Sequence, residues 1–238
     1  MFDRPIETPV SQTDQPLTSA DATPSGPVAP AEATRESLRK YERIAPVYDL
    51  LDAIYERSWK GRLREHAFAG LSGRVLDAGA GTGCNIPYYP ADAAVLAADL
   101  SPGMLARAER RAQRLGRPVE FRETDLTATG FADDTFDAAA ATYVFCVIPE
   151  EVQRAALAEM TRICKPGAEI RILDYTQSKK PLVKAWSRVM TPWLNFAFSA
   201  RYTAGYERYA QEVGLETIDS RFLIGDVVKL LTLRVPEK

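Results

Sequence analysis

The segment Val75–Asn85 constrains the fold more than any other part of the chain. It reads Val-Leu-Asp-Ala-Gly-Ala-Gly-Thr-Gly-Cys-Asn, so a short apolar run ends at an acid and glycines follow at every second position. Because glycine lacks a Cβ, such a backbone can turn tightly and approach a ligand closely. In open α/β sheets, ligands bind at the turn after the first strand. The segment therefore predicts a strand that ends at Asp77, followed by a ligand-binding turn.

Short β-type runs alternate with helical runs over most of the chain, and this alternation sets the expected fold class. It predicts an α/β fold in which a parallel sheet carries helices on both faces. The strands we expect are Arg74–Asp77, Val95–Asp99, Val119–Arg122, Phe136–Phe145 and Glu169–Asp174, and the helices are Pro102–Leu115 and Glu151–Cys164.

The N-terminal residues 1–34 differ from the rest, since they contain six of the 16 prolines and few large apolar side chains. Such a segment cannot bury enough apolar surface to offset its ordering entropy, so we expect a disordered tail. Residues 35–238 are expected to form one domain, in which 35–71 is an N-terminal helical cover. A helical insertion is expected at 178–213, before two closing strands, Glu216–Phe222 and Val227–Val235.

Composition excludes several classes of protein. The 30 Lys and Arg residues against 32 Asp and Glu argue against a generally basic nucleic-acid binder. Three widely separated cysteines fit neither a disulfide framework nor a zinc site, so no metal is expected and a cytoplasmic location is the simplest setting. No apolar run approaches the roughly 18 residues that a membrane span needs. The first residues also lack the basic and apolar pattern of a secretory signal.

The spacing of the glycines and acids separates two kinds of nucleotide site. A nicotinamide-cofactor loop needs G-x-G-x-x-G, whereas this loop is G-x-G-x-G and has Asp77 two residues before it. An acid there suits a cationic group, for which an aminoacyl ammonium is one candidate. Asp99 follows 22 residues later, where a carboxylate can accept both ribose hydroxyls. Asp125 comes after the third expected strand, where it can accept from the exocyclic amine of adenine.

These motifs together resemble those of the class I S-adenosylmethionine-dependent methyltransferases. In order, they are V-L-D-A-G-A-G-T-G, A-D-L-S-P-x-M-L, T-D-L and K-P-G, over residues 74–174. The resemblance implies a Rossmann-like, mostly parallel seven-stranded sheet, with S-adenosylmethionine as cofactor and S-adenosylhomocysteine as product. It also implies a set of cofactor-binding residues: Tyr41, Asp77, Ala78, Gly79, Gly81, Gly83, Asp99, Leu100, Met104, Asp125, Leu126 and Tyr143.

The segment Lys40–Asp49 points to a lipid acceptor. It resembles the Y-x-x-I-A-x-x-Y-D element of the quinone C-methyltransferases and of the bacterial phosphatidylethanolamine N-methyltransferases. The resemblance implies that Tyr41 and Tyr48 lie at the methionine end of the cofactor and at the reacting centre. Packing of both tyrosines against the core is the alternative, and the two interpretations are compatible.

Two departures from the quinone branch and three similarities to the other branch favour the phospholipid enzymes. Residues 54–60 lack the G-x-H-R segment of the quinone enzymes, and the C-terminus lacks their glycine-rich ending. Ile86–Pro90, Asp174-Tyr175 and Lys229–Arg234 look more like the phospholipid enzymes. We therefore expect N-methylation of phosphatidylethanolamine and keep C-methylation of a polyprenyl quinone as the alternative. A membrane adaptor that binds the cofactor without turnover is the non-enzymatic alternative.

Two stretches suggest how the chain meets its substrate. Residues 178–202 carry five bases and no acid, with tryptophan and phenylalanine side chains among them, and 36–64 is also rich in bases. Basic and aromatic side chains favour an anionic membrane surface. We therefore expect peripheral docking on the inner face of the cytoplasmic membrane. The oligomeric state is left open, with a monomer favoured. An aromatic core with a solvated basic face is the alternative.

The expected catalytic residues are Asp174, Tyr48 and Tyr175. Asp174 ends the fifth expected strand, where α/β active sites open, so we expect it to orient a substrate ammonium first and to act as a base second. The faces of Tyr41, Tyr48, Tyr143 and Tyr175 are candidates for cation–π contacts with methylated amines. His66, the single histidine, is expected to pack or to face solvent.

Overall fold

The computed structural model describes residues 61–176, 178, 180 and 205–237. In these residues seven strands form one sheet in the order β3-β2-β1-β4-β5-β7-β6. All neighbouring strands are parallel except those that involve β7, which runs antiparallel to both β5 and β6. The expected Rossmann-like α/β fold is confirmed. The strands are β1 Gly73–Ala78, β2 Ala93–Asp99, β3 Glu120–Glu123, β4 Phe136–Thr142, β5 Cys164–Tyr175, β6 Glu216–Ile224 and β7 Val228–Arg234.

Helices cover both faces of the sheet, because the central strands direct apolar side chains towards each face. On one face, Leu76 of β1 packs with helices α3 and α4; on the other face, Val75 packs with helices α1 and α2. Side chains such as Leu157 and Met160 of α3 are fully buried, which contributes about 1.5–3 kcal/mol each relative to exposure. The helices are α1 Gly61–Phe68, α2 Pro102–Leu115, α3 Glu150–Ile163 and α4 Tyr206–Glu212.

Helix α2 has clear start and stop signals. Ser101 caps its N-terminus by accepting a hydrogen bond from the Met104 N–H, and Pro102 occupies the first turn. Gly116 ends the helix in the left-handed conformation. These signals place α2 directly after Asp99, so the helix begins at the edge of the sheet where β2 ends.

Two sequence predictions about strand limits are wrong. β4 ends at Thr142 and not at Phe145, because Tyr143 has a φ of +57° and takes the chain out of the extended conformation. β5 begins at Cys164, before the expected Glu169, because Cys164 already pairs with Phe136 ahead of an irregularity in the register.

The predicted tail at 1–34 and most of the predicted cover and insertion lie outside the described residues. The last part of the cover is described as α1, and the last part of the insertion is described as α4. No helix in the described part of the chain is long and apolar enough to cross a membrane.

Candidate functional site

A cavity of about 180 Å³ opens at the carboxyl ends of β1–β4. Its floor is the loop 79–82, and its walls come from the segments after β2, β3 and β4 and from the start of α3. The carboxyl ends of these parallel strands meet at one edge of the sheet, which is where the sequence predicts the site. Eight of the expected cofactor residues line this cavity: Gly79, Gly81, Asp99, Leu100, Met104, Asp125, Leu126 and Tyr143.

The glycine loop is held close to β2. The N–H groups of Gly79 and Ala80 both donate to the carbonyl of Ala98 at 2.9 Å. The N–H of Gly81 donates to Asp99 Oδ2 at 2.8 Å. Ala78 and Gly83 do not line the cavity, and Gly83 is buried against Ile86 and Ala108 instead.

Asp99 joins the loop to the start of α2. Its Oδ1 accepts from the Ser101 N–H at 2.9 Å, while its Oδ2 accepts from Gly81. Burial of the carboxylate raises its pKa, against the hydrogen bonds from Ser101 and Gly81, which favour the ionised form. Because Asp99 also lines the cavity, its oxygens can accept from a ligand with adjacent hydroxyls.

Asp125 presents an unsatisfied acceptor at the β3 side of the cavity. Its Oδ1 accepts from the N–H and the hydroxyl of Thr127, both at 2.8 Å. Its Oδ2 is buried and has no hydrogen-bond partner among the described residues. A buried carboxylate oxygen without a donor is costly, so this atom favours a ligand that donates a hydrogen bond, such as an adenine amine.

The buried Oδ2 of Asp125 allows a test of whether this residue recognises the adenine base. Asp125→Asn is expected to bind S-adenosylhomocysteine about tenfold more weakly, because a hydrogen bond to a charged acceptor is lost. The amide can instead donate to the oxo group of S-inosylhomocysteine, so the variant should prefer the inosine analogue more than the wild type does. Calorimetric titration with the two ligands measures the change. An unchanged preference would show that Asp125 does not contact the base.

Asp77 lies behind the cavity and is fully buried. Both its oxygens accept from the Asn85 amide at 2.9 Å, and Oδ2 also accepts from the Tyr89 hydroxyl. Burial raises its pKa to about 6, against these hydrogen bonds. Its direct contact with a cofactor ammonium therefore stays a prediction, and its described role is to hold Asn85.

Arg64 of α1 lines the cavity, and sequence reasoning missed it. Its Nη1 donates to Asn85 Oδ1 at 2.8 Å and to Thr142 Oγ1 at 2.6 Å. Its guanidinium carbon lies 5.0 Å from the centroid of the Tyr143 ring. The sequence gives little sign of this role, because the partners lie 21 and 78 residues away.

Asp174 is also fully buried and does not line the cavity. Its Oδ2 accepts from the Cys146 N–H at 3.1 Å, and its Oδ1 accepts from the Tyr175 N–H at 2.7 Å. Burial raises its pKa to about 6. Asp174 therefore anchors the loop after β4, and its contact with substrate stays a prediction.

The remaining predicted residues divide into those that the structure describes and those it does not. Tyr175 is half-buried outside the cavity lining, with its ring 5.3 Å from that of Tyr143. Tyr41 and Tyr48 lie outside the described residues. His66 is exposed on α1, which agrees with the expectation that it faces solvent.

The polar groups of the cavity follow the order of the groups in S-adenosylmethionine. From β3 towards β4 they are the unsatisfied acceptor of Asp125, the carboxylate of Asp99, the glycine loop and the cation of Arg64. This order matches a base amine, a ribose diol, and an aminoacyl group with its carboxylate. The residues present therefore fit the cofactor.

The comparisons identify the family. A family model described as a methyltransferase domain matches residues 75–167. The chain is also 37% identical to a methyltransferase over 70% of that protein's length. Together with the fold and the glycine loop, these similarities show that the chain belongs to the class I S-adenosylmethionine-dependent methyltransferases. S-adenosylmethionine is its cofactor, and this cofactor supplies an electrophilic methyl group on sulfonium.

Particular relatives differ in what their names say they methylate. A phosphatidylethanolamine N-methyltransferase from Cereibacter sphaeroides is 37% identical over 147 residues, which cover 60% of this chain and 70% of that protein. A demethylmenaquinone methyltransferase from Thermus thermophilus is 30% identical over 183 residues, 72% of this chain and 81% of that protein. Among solved structures, a Burkholderia thailandensis 1,6-didemethyltoxoflavin-N1-methyltransferase with bound S-adenosylhomocysteine has a TM-score of 0.63 at 19% identity. That alignment covers 92% of this chain and 94% of the other.

Proposed function

We propose that this methyltransferase N-methylates phosphatidylethanolamine and its mono- and dimethyl forms, towards phosphatidylcholine. The observation that carries the proposal is the 37% identity to a phosphatidylethanolamine N-methyltransferase over 70% of that protein. The motifs at Ile86–Pro90 and Lys229–Arg234, which resemble the phospholipid branch, support it from the sequence. C-methylation of a polyprenyl quinone is the second candidate, because the relative from Thermus thermophilus is named for a quinone substrate.

Methyl transfer requires the protein to position the methyl acceptor and to exclude water. Methyl transfer from a sulfonium is an in-line displacement. Most of the rate acceleration therefore comes from holding the nucleophile and the methyl group in line. A primary amine must also lose a proton, which costs about 4.6 kcal/mol at pH 7 if its pKa resembles that of lysine. Apolar surroundings at the acceptor favour the neutral amine.

We place this reaction at an anionic membrane surface. The support is compositional: residues 178–202 carry five bases, no acid and several aromatic side chains. Basic side chains near an anionic leaflet contribute up to about 1 kcal/mol each, and aromatic rings settle at the level of the headgroups. A docked enzyme reaches a lipid headgroup without extracting the lipid from the bilayer.

One experiment tests both acceptors and the surface. The protein is incubated with labelled S-adenosylmethionine and liposomes that contain phosphatidylethanolamine or a demethylmenaquinol, each with and without phosphatidylglycerol. We expect label in methylated phosphatidylethanolamine, and faster labelling when phosphatidylglycerol is present. Asp99→Ala serves as the cofactor-defective control. Label in the quinol alone would replace the proposal with the second candidate, and label in neither lipid would contradict both.

A further inference from the structure

Helix α2 carries a concentration of positive charge on its outer side. Five of the eleven residues at 107–117 are arginines, and one is an acid. Arg107, Arg110 and Arg114 follow one another at spacings of three and four residues, so they share one side of the helix. We call these three residues the arginine face. The apolar side of the same helix is buried against the sheet, which leaves the arginine face towards solvent.

Two arginines of this face lack the acidic partners that arginines have elsewhere in the fold. Arg110 and Arg114 are exposed, and neither forms an ion pair with any residue that the structure describes. On α3 and α4, by contrast, Arg154 and Arg208 lie 3.2 and 3.5 Å from carboxylate oxygens of Glu212. The described residues therefore neutralise the arginines of α3 and α4 but leave a net positive charge on α2.

We propose that the arginine face docks on an anionic lipid surface. Leu115 lies next to Arg114 and is 46% exposed, one of few large apolar side chains with such exposure among the described residues. An apolar side chain beside bases suits a helix that lies in the plane of a membrane interface, where arginines contact lipid phosphates. This docking surface deepens the membrane location given under the proposed function and rests on it. It lies in the described fold, whereas the earlier support is the composition of residues 178–202.

Docking through α2 leaves the cofactor cavity beside the membrane. Met104, in the first turn of the helix, lines the cavity. Since a helix rises 1.5 Å per residue, Arg107 and Arg114 lie roughly 5 and 15 Å from Met104 along the helix axis. A helix that lies flat on the surface therefore holds the opening of the cavity at the edge of the headgroup layer, where a lipid amine can reach it.

Vesicle binding of two double variants tests the arginine face. The full chain is sedimented with phosphatidylcholine vesicles that contain or lack phosphatidylglycerol. We expect Arg110→Gln/Arg114→Gln to bind the anionic vesicles about tenfold or more weakly than the wild type, because two bases that face the lipid are lost. The matched control, Arg154→Gln/Arg208→Gln, removes two exposed arginines from α3 and α4 and should stay within about twofold of the wild type. Both variants lose two positive charges, so a difference between them reports the position of the charge.

Methylation of a lipid in uncharged detergent micelles separates this surface from the proposed function. In such micelles Arg110→Gln/Arg114→Gln should methylate phosphatidylethanolamine at the wild-type rate, and its affinity for S-adenosylhomocysteine should be unchanged. On anionic vesicles the same variant should be slower. A wild type that labels no phosphatidylethanolamine in micelles would contradict the proposed function, and sedimentation would still decide the arginine face.

Three outcomes would overturn the docking surface. The first is equal binding of anionic vesicles by the wild type and Arg110→Gln/Arg114→Gln, which is also expected if the face holds the acidic residues 1–34 of its own chain. The second is an equal loss of binding in both double variants. The third is weaker binding of Arg110→Gln/Arg114→Gln to an unstructured RNA but not to the vesicles, which would assign the face to nucleic acid.

Discussion

Gly83→Ala is expected to lower the free energy of unfolding by about 3 kcal/mol or more, combining the cost of left-handed backbone with that of overpacking. Gly83 has a φ of +77°, where a residue with a Cβ is strained. The added Cβ would also lie 2.6 Å from Ile86 Cδ1 and 3.0 Å from the Cα of Ala108. The Ile86 side chain can move, but the backbone of α2 cannot move without displacing the helix.

Gly81→Ala is the matched comparison, because its φ is +55° and a Cβ there meets nothing within 4 Å. We expect a loss of only about 1–2 kcal/mol from the backbone conformation. Gly81 lines the cavity whereas Gly83 does not, so the added methyl group should weaken cofactor binding despite the smaller loss of stability. Urea denaturation and S-adenosylhomocysteine titration measure the two effects. Equal destabilisation of both variants would contradict the steric argument.

Asp99→Ala is expected to weaken S-adenosylhomocysteine binding about hundredfold, because each hydrogen bond to a charged acceptor contributes about 1.5–3 kcal/mol. Two losses combine in this variant. The ligand loses its acceptor for the ribose hydroxyls, and the loop loses the 2.8 Å hydrogen bond from Gly81. Asp99→Asn keeps one acceptor oxygen, so its loss of affinity should be smaller.

The control for Asp99 is Asp92→Ala, an exposed acid in the loop before β2. It should bind S-adenosylhomocysteine as the wild type does in the same calorimetric titration. Thermal unfolding of each variant without ligand separates a loss of affinity from a loss of fold. Wild-type affinity in Asp99→Ala would remove this residue from the cofactor site.

The sequence was enough to predict the sheet and most of the cavity floor, because both rest on local patterns. The alternation of strands and helices predicts that β1–β4 are parallel, so their carboxyl ends meet at one edge of the sheet. The glycines and acids that follow these strands therefore lie close together. Gly81, Asp99 and Asp125 were found in this way, and all three line the cavity.

Residues that depend on long-range packing could not be found in this way. Arg64 reaches the cavity only because α1 packs beside β4, and nothing in its own helix marks it. Asp77 and Asp174 lie one residue before the ends of β1 and β5, close to the expected ends, but their side chains accept from neighbouring groups and stay buried. A strand pattern predicts the position of a side chain along the sheet, but it does not show which groups will donate hydrogen bonds to the carboxylate oxygens.

The placement of β7 has a consequence for how the chain folds during synthesis. β7 lies between β5 and β6, so it joins a neighbour on each side, although it follows both in the sequence. Until residues up to Arg234 have left the ribosome, the β5 edge from Glu169 to Tyr175 lacks the partner it has in the folded protein. An open edge of this kind is a template for incorrect strand pairing. A growing chain in which β7 has not yet paired therefore exposes an edge of β5 that is prone to incorrect strand pairing.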